Sequence, residues 1–329
     1  MPPLRTRSFP PLLLSIVVVF EIIQTTRAAA QPLTVSGGAD LRAGVRIDPD
    51  PNTLTGLSSV FLNLRTVYAD DEGDRVFLVA QGDFEEELER SHFYQVYAQY
   101  KGPLGKWNVR VGRYLVPFGL HYYYDTERVL LAAHEAEALG LKLDEGVQVF
   151  GFKSAFDYSI SVSRGFRNKA TPMARLGWQD EGLRLGVSYL YGRLPSIADE
   201  ESVGVDELLP GAIIVRRHRF AIDYEHNLGQ WTLRAEPVAG ADDGEFVLGG
   251  YAEVTRTLSA SWDVAANAAI VESDLTGRRW RAGAGMSYRI LPGVFVRGAY
   301  LYRDEDGATS HVVVGQIYAE FSQTLGGDE

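Results

Sequence analysis

The residues whose type could support acid–base chemistry are six histidines, His92, His121, His134, His218, His226 and His311. A serine nucleophile needs a histidine within hydrogen-bond reach and a third group to orient it. A hydrolytic zinc site of the helical kind needs the paired histidines of H-E-x-x-H. Neither that motif nor a G-x-S-x-G element occurs in the sequence. The absence of cysteine excludes a thiolate metal site and a disulfide framework as well. A barrel hydrolase is therefore the weakest reading, and no catalytic residue, cofactor or metal is expected.

Arginine supplies a second kind of chemistry. Arg42, Arg46, Arg65, Arg110, Arg184, Arg217, Arg219, Arg279, Arg281, Arg289 and Arg297 all sit opposite apolar stripes. Arg217 and Arg219, like Arg279 and Arg281, are two residues apart, a spacing that puts both side chains on one face of a strand and on different sides of a helix. Acids share that parity at Asp40, Asp157, Asp223, Glu245, Glu253, Asp263 and Glu320. The remaining acidic surplus crowds the connections, as at Asp48 and Asp50, Glu85 to Glu87, Asp199 to Glu201, Asp242 and Asp243, and Asp304 to Asp306. Two readings stay open. Fixed guanidinium charges facing water would set selectivity in a narrow passage, or the arginines pair with carboxylates and brace the wall. Asp223 stands three inward positions from Arg217 and the strand carrying Arg279 has no acid of that parity, so only partial pairing is expected.

The elements that must position these charges follow from a period of two. Leu33, Val35, Ala39, Leu41, Ala43, Val45 and Ile47 alternate with Thr34, Ser36, Asp40, Arg42 and Arg46. The same pattern runs through Leu183 to Tyr191, Leu258 to Ile270 and Trp280 to Ile290. Strands are expected near 33–47, 56–68, 75–83, 92–101, 106–115, 146–153, 156–164, 172–178, 182–192, 213–225, 230–238, 245–256, 258–271, 278–290, 293–303 and 311–322. The fold class is thus all-β, a transmembrane antiparallel β-barrel of about 16 strands (about 14 to 18), with the weakest alternation around 146–178. No later stretch holds the long apolar run of a spanning helix, so membrane crossing has to use a closed sheet. A barrel of that size is too wide for its own side chains to fill, and a channel results unless something blocks it.

The first 30 residues set the compartment. Arg5 and Arg7 precede an apolar run from Leu12 to Phe20, and Ala28, Ala29 and Ala30 form a small-residue cleavage site. That is the layout of a secretory signal peptide, which divides the chain into residues 1–30, removed on export, and a barrel over 31–329. The formal charge of −11 becomes more negative once Arg5, Arg7, Arg27 and Glu21 leave. Nucleic acid is not an expected partner, because phosphate binding needs a cationic face.

Connection lengths test the strand count. Outer-membrane barrels have short periplasmic turns and longer outer loops, with both chain ends on the periplasmic side. The two longest connections, 116–145 and 193–212, are the fifth and ninth, and both therefore fall outside. The first of them carries Tyr122, Tyr123 and Tyr124, then Val129, Ala132, Ala133, Ala136 and Leu139 at helical spacing, with Asp125 or Thr126 as N-cap and Gly140 as stop. An ordered loop of that length is usually functional. Folding inward would narrow the lumen, while a lid over the mouth or a subunit contact would use the same residues differently.

At its start lies Val111-Gly112-Arg113-Tyr114-Leu115-Val116-Pro117-Phe118-Gly119-Leu120. This segment resembles the G-R/Q-x-x-x-P-F-G signature of the phosphate-selective porin O/P-like group, carried here by Gly112, Arg113, Pro117, Phe118 and Gly119. The resemblance implies an outer-membrane porin of about this size, and with the parity and loop readings above the expected function is passive diffusion of small polar or anionic solutes through an arginine-lined lumen narrowed by loop 116–145. The expected partners are outer-membrane lipid and small polar solutes or ions, with a homo-trimer as one candidate assembly. The lysines are Lys101, Lys106, Lys142, Lys153 and Lys169, too few for the lysine ladder of that group's phosphate-selective members, and the chain runs on from Phe321 to Glu329 where many such barrels end on an aromatic residue. A non-conducting structural or adhesive barrel is the alternative, since alternation alone does not say whether loops block the lumen.

Overall fold

The computed structural model describes residues 33–47, 52–70, 73–85, 90–122, 140–165, 169–195, 214–275, 277–305 and 307–325. The expected leader, the helical spacing over 125–139 and most of connection 193–212 lie outside the described residues.

The described residues form sixteen strands, β1 (Leu33–Ile47), β2 (Asn52–Asp70), β3 (Gly73–Glu85), β4 (Arg90–Lys101), β5 (Asn108–Leu115), β6 (Leu143–Lys153), β7 (Phe156–Ser163) and β8 (Thr171–Asp180), then β9 (Leu183–Pro195), β10 (Ile214–Leu228), β11 (Trp231–Asp242), β12 (Glu245–Thr257), β13 (Trp262–Ser273), β14 (Gly277–Leu291), β15 (Val294–Glu305) and β16 (Ala308–Leu325). Each pairs antiparallel with its sequence neighbours, and β1 closes on β16 from Leu33 opposite Leu325 to Ile47 opposite His311. No sheet edge is left open, which is the condition for a sheet in hydrocarbon.

Period two sorts the side chains as expected. Leu41, Val111, Ile160, Phe220, Met286 and Val313 are exposed on the outer surface. A soluble protein would bury such a surface, and lipid accepts it. Exposed Tyr100, Trp107, Trp231, Trp262 and Tyr288 gather near the short connections, and Tyr191, Trp280 and Tyr300 near the opposite rim, as two interfacial aromatic belts would. Replacing Ala266, exposed near the middle of β13, by arginine should cost about 2–4 kcal/mol if the site lies near the bilayer midplane. Ala266→Leu should cost almost nothing. Urea titration in lipid bilayers measures both, and equal losses would remove the outward assignment.

Most boundaries shift by a few residues, the largest shifts being at the start of β2 (52, not 56), the end of β11 (242, not 238) and the start of β13. The thirteenth strand begins at Trp262 rather than 258, because the amides of Leu258 and Ser259 both donate to the Trp262 carbonyl and fold 258–261 into a turn. The alternation of Leu258 and Ala260 simply runs on through that turn. The sixth strand begins at Leu143, since Leu143, Asp144 and Glu145 already pair with Leu115, Tyr114 and Arg113. The long connection is therefore 116–142.

Even-numbered connections are tight, as at 154–155, 181–182, 229–230 and 292–293, and the long ones are all odd-numbered. Among the odd ones 306–307 and 243–244 are equally tight. In the latter, Asp243 (φ 49) and Gly244 (φ +99) both take positive φ, the two-residue Asp-Gly hairpin that matches the twist of its strands.

Candidate functional site

The interior of the barrel is not uniformly polar. Inward-facing Met173, Leu190, Leu194, Ala221, Val238, Val247 and Val271, one or more from each strand of β8–β13, form a buried apolar seat. Val116 and Phe118 sit in it, with Leu141 packed alongside. The long connection thus leaves β5, enters the lumen and lies against the inner wall. Phe118 is 1% exposed, and Leu120 joins inward-facing Tyr251 and Ala269 in a second cluster. Burying a phenylalanine and two aliphatic side chains in this way supplies about 1.5–3 kcal/mol for each.

Polar groups of the wall complete the seat. The Gly119 amide donates to Ser188 Oγ at 3.0 Å and the Leu120 amide to Glu236 Oε2 at 2.6 Å. On the returning limb, Arg217 donates to the Gly140 carbonyl at 3.0 Å. Gly119 needs its lack of a side chain twice, because its φ is +61 and a Cβ would run into the Glu236 carboxylate. Tyr122 lies further along, its hydroxyl accepting from Gln148 Nε2 at 3.0 Å. Burial raises the phenol of Tyr122 above its ordinary value, against the opposing pull of Arg110, and keeps it a neutral hydroxyl. In the family-like segment Gly112 has φ +127 and a Cβ there would run into the Val96 carbonyl, so glycine is required at this point of β5 and, at Gly119, where the chain turns along the inner wall.

The inward arginines fall into two populations. The first is held by carboxylates. Arg217 and Arg219 meet Asp242 at 3.3 and 2.9 Å and are 3% and 0% exposed. Arg175 bridges Asp157 at 2.6 Å and Asp223 at 2.7 Å. A chain of ion pairs then runs from Arg184 through Glu225 and Arg234 to Glu253, and Arg42 pairs with Asp40 at 2.7 Å. Arg217 and Arg219 thus share one carboxylate, and it is Asp242, not Asp223, that they meet. Asp242, placed by sequence among the connection acids, is the last residue of β11, directly opposite Arg217 in register, buried and turned inward.

The second population rests on aromatic rings. Arg65 stacks over Phe77 at 5.0 Å, Arg110 over Tyr97 at 4.5 Å and Phe150 at 4.8 Å, and Arg289 over Phe295 at 5.5 Å. Arg297 lies over Phe295 and Tyr318 at 4.9 and 5.1 Å and donates to Gln316 at 3.0 Å. Gln99 is the side-chain acceptor for Arg110. Arg65 and Arg289 are exposed to the lumen, and Arg110 and Arg297 are half-buried. No ion pair joins Arg65, Arg110 or Arg289 to a carboxylate among the described residues. A guanidinium face on a ring leaves its N–H edges available to water or a passing anion. Of the other sequence-selected arginines, Arg279 is half-buried and Arg281 buried, both inward on β14. Arg46 lies on β1 with its side chain outside the described ones.

Sequence reasoning missed Arg175, Arg234, Glu225 and Glu236. Arg175 lies in the stretch of weakest alternation. Glu236 precedes Pro237, which interrupts the strand signal although its side chain faces out. Among the described residues there is no cluster of histidine and acidic side chains fit for a metal ion.

No family model matches the chain, and no curated protein matches it. Solved structures do match in fold. An anion-selective porin from Comamonas acidovorans superposes with a TM-score of 0.68 at 13% identity, covering 88% of this chain and 99% of that one. The outer-membrane channel DcaP of Acinetobacter baumannii gives 0.64 at 12% identity over 91% and 99% of the two chains. A loop-deletion mutant of the outer-membrane protein OmpT of Vibrio cholerae gives 0.63 at 12% identity over 88% and 99%. At such identities the likeness is one of fold. The chain has the closed sixteen-stranded architecture of outer-membrane porin-like proteins.

Proposed function

We propose that the protein is a porin of the bacterial outer membrane, exported with loss of residues 1–30, through which small polar or anionic solutes diffuse passively without chemical change. The observation that carries this reading is the lopsided filling of the lumen. Residues 116–122 occupy the side formed by β8–β13, where cations are matched by carboxylates. The facing wall, from β14 round to β5, keeps Arg65 and Arg289 exposed. A water path along that wall would be bounded by the loop on one side and by ring-mounted guanidinium groups on the other. Charged groups at such close quarters govern which ion enters.

The pore-lining role thus belongs chiefly to Arg65, Arg110, Arg289 and Arg297, with Arg42, Arg184, Arg217 and Arg219 bracing the wall through their carboxylate partners. Phosphate selectivity is not part of the proposal, because the likeness to the phosphate-selective group rests on a segment whose residues serve the loop's geometry. A homo-trimer is the proposed assembly.

Purified protein in a planar bilayer should give stepwise ionic currents that scale with salt concentration. A silent bilayer from folded protein would instead leave a structural or adhesive barrel as the function.

A further inference from the structure

On the outer surface, one cross-strand pair breaks the pattern of that face. Arg193 of β9 and Arg216 of β10 are directly opposite in register, both exposed and both pointing away from the lumen. Like charges placed opposite one another weaken a sheet. No ion pair holds either guanidinium among the described residues; Asp243 uses Oδ1 to accept the backbone amide of Arg216 at 3.0 Å. Exposed Lys169 lies on the next connection round the rim.

What lies beneath the pair is ordered by polarity. One step down the same face, Tyr191 is opposite His218, with rings 4.6 Å apart and Tyr189 Oη 3.0 Å from His218 Nδ1. Next come Tyr189 opposite Phe220, and below them Val187 opposite Ile222, all exposed. The column therefore runs from two cations through an amphipathic layer to hydrocarbon. The cations flank the ninth connection, which the placing of long loops puts on the outer side.

We propose that this column is a binding site for one lipid of the outer leaflet, a glycolipid bearing phosphate on its headgroup, with the phosphate between Arg193 and Arg216 and the acyl chains along Phe220, Ile222 and Val187. Guanidinium groups bind phosphate by paired charge-assisted hydrogen bonds. A bound phosphate also removes the repulsion within the pair, so the lipid stabilises the sheet where the bare protein is weakened. The assignment rests on the outer-membrane orientation given above and is independent of conduction.

The test is native mass spectrometry of the full mature barrel in detergent with diphosphoryl lipid A, and with fully dephosphorylated lipid A as the comparison. The intact protein should retain the diphosphoryl form about tenfold more tightly than the R193Q/R216Q variant, the effect of losing two charge-assisted contacts at an exposed site. R193K/R216K should recover part of that retention. Resistance of the barrel to heating in detergent should stay unchanged in all three proteins and shows that each is folded. Equal retention by the intact protein and R193Q/R216Q overturns the site. So does equal retention of the dephosphorylated lipid, which would make the contact apolar only. A fall in protomer number in R193Q/R216Q with lipid retention unchanged would assign the face to a second copy of the chain, again against the proposal.

Discussion

Phe118→Ala should raise single-channel conductance while the barrel stays folded, and Gly119→Val should raise it further. Phe118 is the largest apolar side chain that ties the inward segment to the β8–β13 wall, and truncating a buried phenylalanine costs about 3–5 kcal/mol. That energy is lost from the docked loop, not from the strands, whose hydrogen bonds are made with their own neighbours. Gly119→Val acts through two other terms. It places a β-branched residue at φ +61 and drives its Cβ into the Glu236 carboxylate. Relief requires the turn to back away, which breaks the Leu120 and Gly119 amide contacts with Glu236 and Ser188 together. Deleting residues 120–141 is the limiting case and should give the widest pore. Planar-bilayer recording measures the conductance, and resistance of the barrel to heating in detergent reports its integrity. Folded Gly119→Val or deletion protein with unaltered conductance would mean that the loop does not bound the solute path.

The strands were legible because alternation is a local property. β1 was placed to the residue from Leu33 to Ile47, and only where polar spacing failed, around 146–178, was the pattern weak. The seat of the loop was less legible although its signal was present. Leu190 and Leu194 share the parity of Gly186 and Ser188, and Val247 and Val271 share that of Glu253 and Asn267, so apolar residues stand where a purely wet lumen would have polar ones. A run of inward apolar positions over six consecutive strands marks a surface that another segment can cover, while Ala299, Val312 and Val314 form a smaller cluster of their own on β15 and β16. The partners of the arginines were hidden for a different reason. Asp242 meets Arg217 because the tight turn at 229–230 sets the register between β10 and β11, and a single sequence read strand by strand carries no such distance. The aromatic mounts were hidden likewise, since Phe77, Phe150, Phe295 and Tyr318 read as lipid-facing types until their strands are aligned.

The same distinction between held and mounted arginines decides the selectivity experiment. Replacing Arg65 and Arg289 together by glutamine should shift the reversal potential under a salt gradient toward cations, with little loss of stability. Each rests on one ring, a contact worth about 0.5–1 kcal/mol at an exposed site, so the barrel loses little when the charge goes. The charge itself is in no ion pair with a carboxylate among the described residues and is exposed on the open side of the lumen. Arg217→Gln with Arg219→Gln should do the reverse. These two guanidinium groups share buried Asp242, and removing them strands that carboxylate, a change that costs about 3–5 kcal/mol in a buried pair. Its effect on selectivity should be small, because the cluster lies beneath the docked loop and beyond direct contact with passing ions. Acidic connections at the mouth act through solvent and are screened over about 10 Å at 0.1 M salt, so the contrast between the two double variants should persist as salt is raised. If the Arg217/Arg219 variant moves the reversal potential and the Arg65/Arg289 variant leaves it fixed, the solute path runs on the β8–β13 side and the assignment of roles to the two populations is reversed.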